Sequence, residues 1–197
     1  MDKASFEALI AGVLDRHYGT VNSFISPVLT AELRSHLLER FHAGGMQAAG
    51  VGQRFAYERN LQVRGDVISW LEKAHHPAEK AFLEQVDSFV EYLNQTCYTG
   101  INACEFHFAL YEPGTFYKRH IDQFRSDQGR RFSLVVYLNE QWAPEDAGQL
   151  VLYPGPEPIE ILPEGGRAVF FRADAVEHEV MPAQRPRLSI AGWLKRV

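Results

Sequence analysis

Residues 105–111 read EFHFALY, and at this stretch the chain changes from helical to strand periodicity. Phe106, Phe108 and Leu110 alternate with other residues, which is the pattern of a strand with one buried face. The segment therefore predicts the start of a sheet-rich core that runs to residue 197.

Short apolar segments continue this pattern and predict strands at 132–138, 149–153, 159–162, 167–171, 177–181 and 187–194. Turn residues separate them, namely Pro144, Pro154-Gly155-Pro156 and Pro163-Glu-Gly165-Gly166. Many short strands with such turns are typical of a jelly-roll, or double-stranded β-helix, and we expect one over 105–197. Another strand is predicted upstream at 67–71.

The first hundred residues are mainly helical in period. One apolar face is predicted over 3–17, formed by Phe6, Leu9, Ile10, Val13 and Leu14, with Gly19 ending the helix. A second helix begins at Thr30 as N-cap and a third covers 78–94. We expect an all-β core with flanking helices (α+β), in which residues 1–43 are helical support on the outer face. His36 is expected at a helix surface or edge, and His75 and His76 are expected to face solvent.

A His-x-Asp pair follows the first core strand, and a second histidine comes much later. In an extended strand His120 and Asp122 point to the same side while Ile121 points away. With His178 from another strand they supply two imidazole nitrogens and one carboxylate, the facial set that binds iron(II) and leaves positions open for a chelating co-substrate and O₂. The tripeptide alone is weak, because ordinary surface strands also contain it.

Arg187 gives the metal hypothesis support. It lies on a strand whose other residues are apolar, where a cation is costly to bury unless it meets an anion. An arginine fork binds a carboxylate with two hydrogen bonds. The far carboxylate of 2-oxoglutarate would be such an anion, so Arg187 is the candidate residue for binding this co-substrate.

Several motifs in this order resemble the iron(II)/2-oxoglutarate-dependent dioxygenases. They are YEPGTFYKRHID (111–122), SLVVYLN (133–139), GQL (148–150), HEVMP (178–182) and RLSIAGW (187–193). Within that family they are most similar to prolyl hydroxylases of the oxygen-sensing (hypoxia-inducible-factor) type and their bacterial relatives. RGDVISW (64–70) resembles a stretch characteristic of this subgroup, so the resemblance runs from about residue 50 to the end.

The resemblance implies a role for each core residue. His120, Asp122 and His178 would hold Fe(II), and Arg187 would pair with 2-oxoglutarate, helped by a hydrogen bond from Tyr137. Tyr111 would contact the co-substrate and Leu150 would wall its pocket. The reaction would consume O₂, release succinate and CO₂, and hydroxylate the substrate, with ascorbate as an accessory reductant.

The resemblance also implies a substrate side. Arg130 and Asp66 align with residues near the prolyl entrance, which predicts an Asp66–Arg130 ion pair; a solvated strand end is the alternative for Arg130. Tyr117 and Trp193 would line the pocket for a proline ring. Ala191 stands where many oxygen-sensing enzymes have threonine, which leaves sensor-like oxygen kinetics open.

The glycine-rich segment 44–61 has two interpretations. It is either an ordinary connection or, as in related prolyl hydroxylases, a mobile lid that excludes water and selects the substrate. A lid favours a protein substrate that carries its target proline in an exposed loop. The alternatives are a hydroxylase of free amino acids or other small molecules, and a metal-binding jelly-roll sensor without catalysis.

Composition limits the other classes. The net charge of −5 argues against nucleic-acid binding, which requires a basic face. The hydrophobic content of 46% fits a globular chain, and 197 residues suit a single domain, residues 1–197. Cys97 and Cys104 are too few for a disulfide framework, and residues 1–13 lack the apolar core of a signal peptide. We therefore expect a cytoplasmic monomer that contacts no membrane.

Overall fold

The computed structural model of the protein describes residues 3–50, 62–123 and 129–197. Its helices are α1 (Lys3–Arg16), α2 (Pro27–His42) and α3 (Pro77–Cys97), with a short 3₁₀ turn at Pro144–Asp146. The strands are β1 (Tyr18–Val21), β2 (Gln47–Ala48), β3 (Val67–Trp70), β4 (Ala103–Tyr111), β5 (Tyr117–His120), β6 (Arg130–Tyr137), β7 (Leu150–Tyr153), β8 (Ile159–Ile161), β9 (Ala168–Arg172), β10 (Glu177–Val180) and β11 (Arg187–Lys195).

These strands form two antiparallel sheets. The larger sheet has seven strands in the order β1-β9-β6-β11-β4-β3-β2, and the smaller has four in the order β5-β10-β7-β8. Long crossovers join the two sheets, since β5, β7, β8 and β10 alternate along the chain with strands of the large sheet. This is the jelly-roll architecture that the turn-separated short strands predict.

Side-chain alternation on β4 gives the large sheet two different faces. Phe106, Phe108 and Leu110 join the core beneath the helices. Ala109 and Tyr111 join a second cluster that includes residues of both sheets, such as Leu152 of the small sheet. The space between the sheets is therefore lined by the odd-numbered residues of β4, and the metal-binding histidines also lie there.

Helices α2 and α3 each begin with a side chain that caps the first turn, but the N-cap predicted from the sequence for α2 was wrong. Ser26, not Thr30, caps α2: its hydroxyl oxygen accepts from the backbone N–H of Leu29 at 3.2 Å, with Pro27 in the first turn. Thr30 instead donates its hydroxyl to the Ser26 carbonyl oxygen at 2.9 Å. His76 caps α3, its Nδ1 accepting from the N–H of Ala78 at 3.2 Å.

The N-terminal segment differs from expectation in three places. Helix α1 ends at Arg16, and His17, with φ 69°, makes the left-handed turn assigned to Gly19. Gly19 lies in β1, a strand the sequence did not predict. Leu14, expected in the apolar face, is 76% exposed.

The histidines at the α2–α3 contact are also not solvent-facing. The Glu79 carboxylate is fully buried and lies 2.8 Å from His36 Nε2 and 2.8 Å from Arg40 Nη2. His76 stacks on His36 with ring centroids 4.0 Å apart. The contact between His36 and Glu79 joins α2 to α3. Helical periodicity does not predict it, because the two residues are 43 positions apart.

The described part of the candidate lid is a short edge strand. Gln47 and Ala48 of β2 pair with Ile68 and Val67 of β3. The rest of the segment, 51–61, lies outside the described residues. In the part of the chain that the structure describes, no helix combines the length and apolar character needed to cross a membrane.

Candidate active site

The predicted metal ligands meet on the small sheet. His178 of β10 and His120 of β5 are register partners, and their ring centroids are 4.2 Å apart. Asp122 follows β5 by two residues and extends between them: its Oδ1 is 3.6 Å from His120 Nε2, and its Oδ2 is 3.6 Å from His178 Nε2. The ligand atoms of all three residues lie within 4.8 Å of one another.

Backbone carbonyls fix the orientation of both rings. His120 Nδ1 is 2.8 Å from the Lys118 carbonyl oxygen, and His178 Nδ1 is 3.3 Å from that of Val176. A carbonyl oxygen only accepts hydrogen bonds, so Nδ1 must carry the proton in each ring. The Nε2 lone pairs therefore face the shared space, the arrangement that metal-binding histidines use.

The protonation states also suit a metal. Burial lowers the pKa of His178 to about 4, so its ring is neutral at pH 7. Burial alone would raise the pKa of Asp122, but His178, His120 and the Ser133 hydroxyl together hold it well below its usual range. Ser133 donates to Asp122 Oδ2 at 2.6 Å, which holds the carboxylate in place.

This donor set fits iron(II). Two neutral imidazoles and one carboxylate on one side of an ion are the facial triad of non-haem iron(II) oxygenases. Among the described residues this is the one group of three or more His, Cys, Asp or Glu side chains close enough to bind a metal.

Arg187, at the start of β11, is buried with 1% of its surface exposed. Its Nε donates to the Gly148 carbonyl oxygen at 2.9 Å and its Nη1 contacts Ser189 Oγ at 3.5 Å. No carboxylate of the described residues pairs with this guanidinium. A buried cation without an anion is costly, so the site fits an incoming carboxylate.

Tyr111 and Tyr137 flank this guanidinium. The Arg187 Cζ atom is 5.2 Å from the Tyr111 ring centroid and 5.1 Å from that of Tyr137. The buried Tyr137 hydroxyl has no hydrogen-bond partner in the described part of the chain. Burial raises its pKa to about 12, so it remains a donor. Guanidinium and hydroxyl together fit the far carboxylate of 2-oxoglutarate.

The other residue assigned to the co-substrate pocket is Leu150 on β7. It is buried in the same inter-sheet cluster as Tyr111 and Tyr137. In register, Leu150 lies opposite Val180, two residues beyond His178 on β10. Its role as a wall of the co-substrate pocket stays a prediction.

The expected Asp66–Arg130 ion pair is not formed among the described residues. Arg64, only two residues away, engages both oxygens of Asp66, with Nε–Oδ1 2.8 Å and Nη2–Oδ2 2.6 Å. The same Arg64 guanidinium lies over the Tyr117 ring, with Cζ 4.2 Å from its centroid. Asp66 therefore pairs with Arg64, which is close in the chain and binds both of its carboxylate oxygens.

Arg130 is instead attached to the triad side of the site. Its Nη2 is 3.3 Å from Glu105 Oε1, and its Nη1 donates to the Asp122 carbonyl oxygen at 3.2 Å. Its Cζ stacks 3.4 Å from the Trp193 ring centroid. Tyr117 stacks on His120 at 3.7 Å. The other aligned substrate residues, Arg130, Tyr117 and Trp193, therefore all lie beside the metal ligands.

Three residues of the site were not found from sequence. Ser133 supports Asp122, Arg64 holds Asp66, and His107 faces the inter-sheet space between Trp70 and Trp193. Ser133 and His107 could have been found from strand alternation, since both occupy the non-core phase of their strands. Arg64 carries no such signal.

Jelly-roll sheets, the facial triad and the buried arginine define the class of iron(II)- and 2-oxoglutarate-dependent dioxygenases. A sequence model of the 2OG-Fe(II) oxygenase superfamily matches residues 106–195. The chain is 33% identical to a prolyl-4-hydroxylase from Pseudomonas putida over 98% of this chain and 99% of that one, with a TM-score of 0.89. The chain belongs to the 2OG-Fe(II) oxygenase superfamily, with Fe(II) as cofactor and 2-oxoglutarate and O₂ as co-substrates.

Two further relatives are informative. A prolyl hydroxylase from Trichoplax adhaerens, solved with a peptide of the hypoxia-inducible factor oxygen degradation domain, is 26% identical over 97% of this chain and 89% of that one, with a TM-score of 0.87. A prolyl 3-hydroxylase from Xenopus laevis is 35% identical over 77 residues. That match spans 34% of this chain and 15% of the Xenopus protein.

Proposed function

We propose that the protein is a prolyl hydroxylase that adds a hydroxyl group at the 4-position of a proline in a target protein. The observation that carries this proposal is the likeness to the Pseudomonas putida prolyl-4-hydroxylase over nearly the full length of both chains. The Trichoplax adhaerens enzyme supports a protein substrate, since it binds a peptide.

The residues of this chain have distinct tasks in that reaction. Arg187 and Tyr137 bind the far carboxylate of 2-oxoglutarate and so orient the co-substrate toward the triad. Leu150 and the other apolar residues between the sheets exclude water from it. Iron(II), 2-oxoglutarate and O₂ supply the oxidation when bound, with succinate and CO₂ as co-products.

The substrate would approach the triad where Tyr117 of β5, Arg130 of β6 and Trp193 of β11 lie. Tyr117 lies on His120, and Trp193 carries Arg130, so two aromatic faces and a cation lie beside the metal ligands. These aromatic side chains would line the pocket for the apolar ring of proline. The Arg64–Asp66 pair at the start of β3 fixes Tyr117 from the other side.

The test is hydroxylation of peptides from the cell's proteome by the purified protein with iron(II), 2-oxoglutarate and O₂. We expect one or a few prolines to gain the mass of one oxygen atom, and acid hydrolysis to yield 4-hydroxyproline. The Arg187→Ala variant is the control. Absence of modified proline, together with substrate-dependent turnover of a free amino acid or another small molecule, would contradict the proposal.

A second candidate differs only in the position of attack. Hydroxylation at the 3-position is favoured by the 35% identity to the Xenopus laevis prolyl 3-hydroxylase. The hydrolysis product distinguishes the two, because 3- and 4-hydroxyproline separate on chromatography.

Three other features are part of the proposal. Ascorbate would act as a reductant, and omitting it from the assay should lower the number of turnovers. The protein would work as a monomer, which light scattering after gel filtration tests. It would act in the cytoplasm, where the two free thiols, Cys97 and Cys104, stay reduced.

A further inference from the structure

His107 lies at the centre of β4 on the face that points between the sheets. It is buried, with 4% of its surface exposed. Its ring is between two tryptophans, 5.1 Å from the Trp70 centroid and 5.6 Å from the Trp193 centroid. Its register partner on β11 is Ala191, whose methyl side chain leaves room beside the imidazole.

The Nδ1 atom of His107 is buried and has no hydrogen-bond partner in the described part of the chain. Burial lowers the pKa of His107 to about 4, so at pH 7 the ring is neutral, with one N–H donor and one acceptor nitrogen. A buried polar group left unpaired is destabilising. Such a cost is relieved when a ligand supplies the missing partner.

Because of where His107 lies, the missing hydrogen-bond partner would come from the substrate and not from 2-oxoglutarate. Tyr111, the register partner of Arg187, lies four residues after His107 on β4. Four residues of a strand span about 13 Å. Trp193, whose ring centroid is 5.6 Å from that of His107, carries Arg130 on its ring, and Arg130 also donates to the Asp122 carbonyl oxygen. His107 therefore lies beside the triad, away from the co-substrate's arginine.

We propose that His107 determines substrate specificity by donating a hydrogen bond to a peptide carbonyl next to the target proline. This inference rests on the proposed function. Proline has no N–H, so the chain on either side of its ring offers carbonyl acceptors to a nearby donor. The two tryptophan rings contact the imidazole from either side, and a free amino acid would lack the carbonyl of the preceding residue.

The test uses a synthetic library of peptides that each contain one proline, with the whole protein loaded with iron(II). For a peptide that the wild type hydroxylates, KM and kcat are compared in His107→Phe, which keeps an aromatic ring but no nitrogen. His107→Asn is measured in parallel because its amide retains a polar atom near the position of Nδ1. His42→Phe, on the exposed side of α2, is the control for the same exchange of side chains.

We expect KM for the peptide to rise about tenfold in His107→Phe, as for loss of one buried hydrogen bond, and to recover in part in His107→Asn. The affinity for 2-oxoglutarate and its turnover without peptide should not change. An unchanged peptide KM would overturn the inference, and so would a loss of 2-oxoglutarate affinity in step with peptide affinity, which indicates packing. If the wild type modifies no peptide in the library, the proposed function fails and the inference fails with it.

Discussion

His120 and His178 face each other as register partners on the adjacent antiparallel strands β5 and β10. Ladder hydrogen bonds therefore set the separation of the two imidazoles, and the Lys118 and Val176 carbonyls set their orientation. Asp122, just beyond β5, is held by Ser133 of the opposite sheet. The metal ligands are thus arranged by both sheets.

Arg187→Lys tests the two-pronged binding of the co-substrate. Lysine keeps the charge but lacks the planar fork, so the affinity for 2-oxoglutarate should fall at least about tenfold. Isothermal titration in the presence of iron(II) measures this. The control is Arg185→Lys, a partly buried arginine that donates to the Glu140 and Gln141 carbonyls and should leave the affinity unchanged. Equal affinity in wild type and Arg187→Lys would remove Arg187 from the co-substrate site.

Tyr137→Phe separates binding from stability. The hydroxyl has no partner in the described part of the chain, so its removal should leave the free energy of unfolding within about 1 kcal/mol of wild type or raise it. Affinity for 2-oxoglutarate should nevertheless weaken, by about tenfold, because one donor to the carboxylate is lost. Urea unfolding and titration measure the two effects. A large loss of stability with unchanged affinity would show that the hydroxyl is structural.

Glu79→Ala tests the buried contact between α2 and α3. The carboxylate accepts from the Glu72 N–H at 2.8 Å and lies against His36 and Arg40, so its loss removes the anionic partner of three partly buried donors. We expect a loss of about 3 kcal/mol in the free energy of unfolding. Glu84→Ala, which removes an exposed pair with Lys80, should cost about 0.5 kcal/mol or less. Similar losses in the two variants would contradict this assignment.

His107 also predicts a pH dependence of stability. The pKa of His107 in the folded protein is about 4, below the ordinary value of 6.5. Below pH 6.5 the His107 side chain is therefore protonated in the unfolded chain but stays neutral in the folded one. Its contribution to stability is complete above pH 6.5 and decreases as pH falls toward 4. Between pH 7 and pH 5, His107→Phe should therefore lose about 2 kcal/mol less than wild type in urea unfolding. Parallel pH profiles would refute the buried neutral state.

Local pattern was enough to predict most of the strands and the His120–Asp122 pair, whereas the distant His178 was assigned from the order of the motifs. Alternation located β4, β6 and β11, and the i, i+2 spacing of His120 and Asp122 placed both ligands on one side. The buried position of Arg187 followed from its apolar neighbours. Each of these features depends on residues close together in the chain, where period and chemistry can be read directly.

Features that depend on competition between partners could not be predicted. Asp66 had two cationic candidates, and Arg64 takes it because the two residues are neighbours at the start of β3. His36 meets Glu79 only through the packing of α2 on α3. Strand β1 is short, and it forms by pairing with β9, about 150 residues later in the chain. Such choices are made by tertiary contacts, which a single sequence does not display.

The measurement that tests the central claim most directly is the visible spectrum of the protein with iron(II) and 2-oxoglutarate without oxygen. A weak charge-transfer band should appear in the wild type and in His42→Ala, which changes an exposed histidine of α2. His178→Ala should abolish the band, because one of the two imidazoles is lost. No band in the wild type, or an undiminished band in His178→Ala, would contradict the site built from His120, Asp122 and His178.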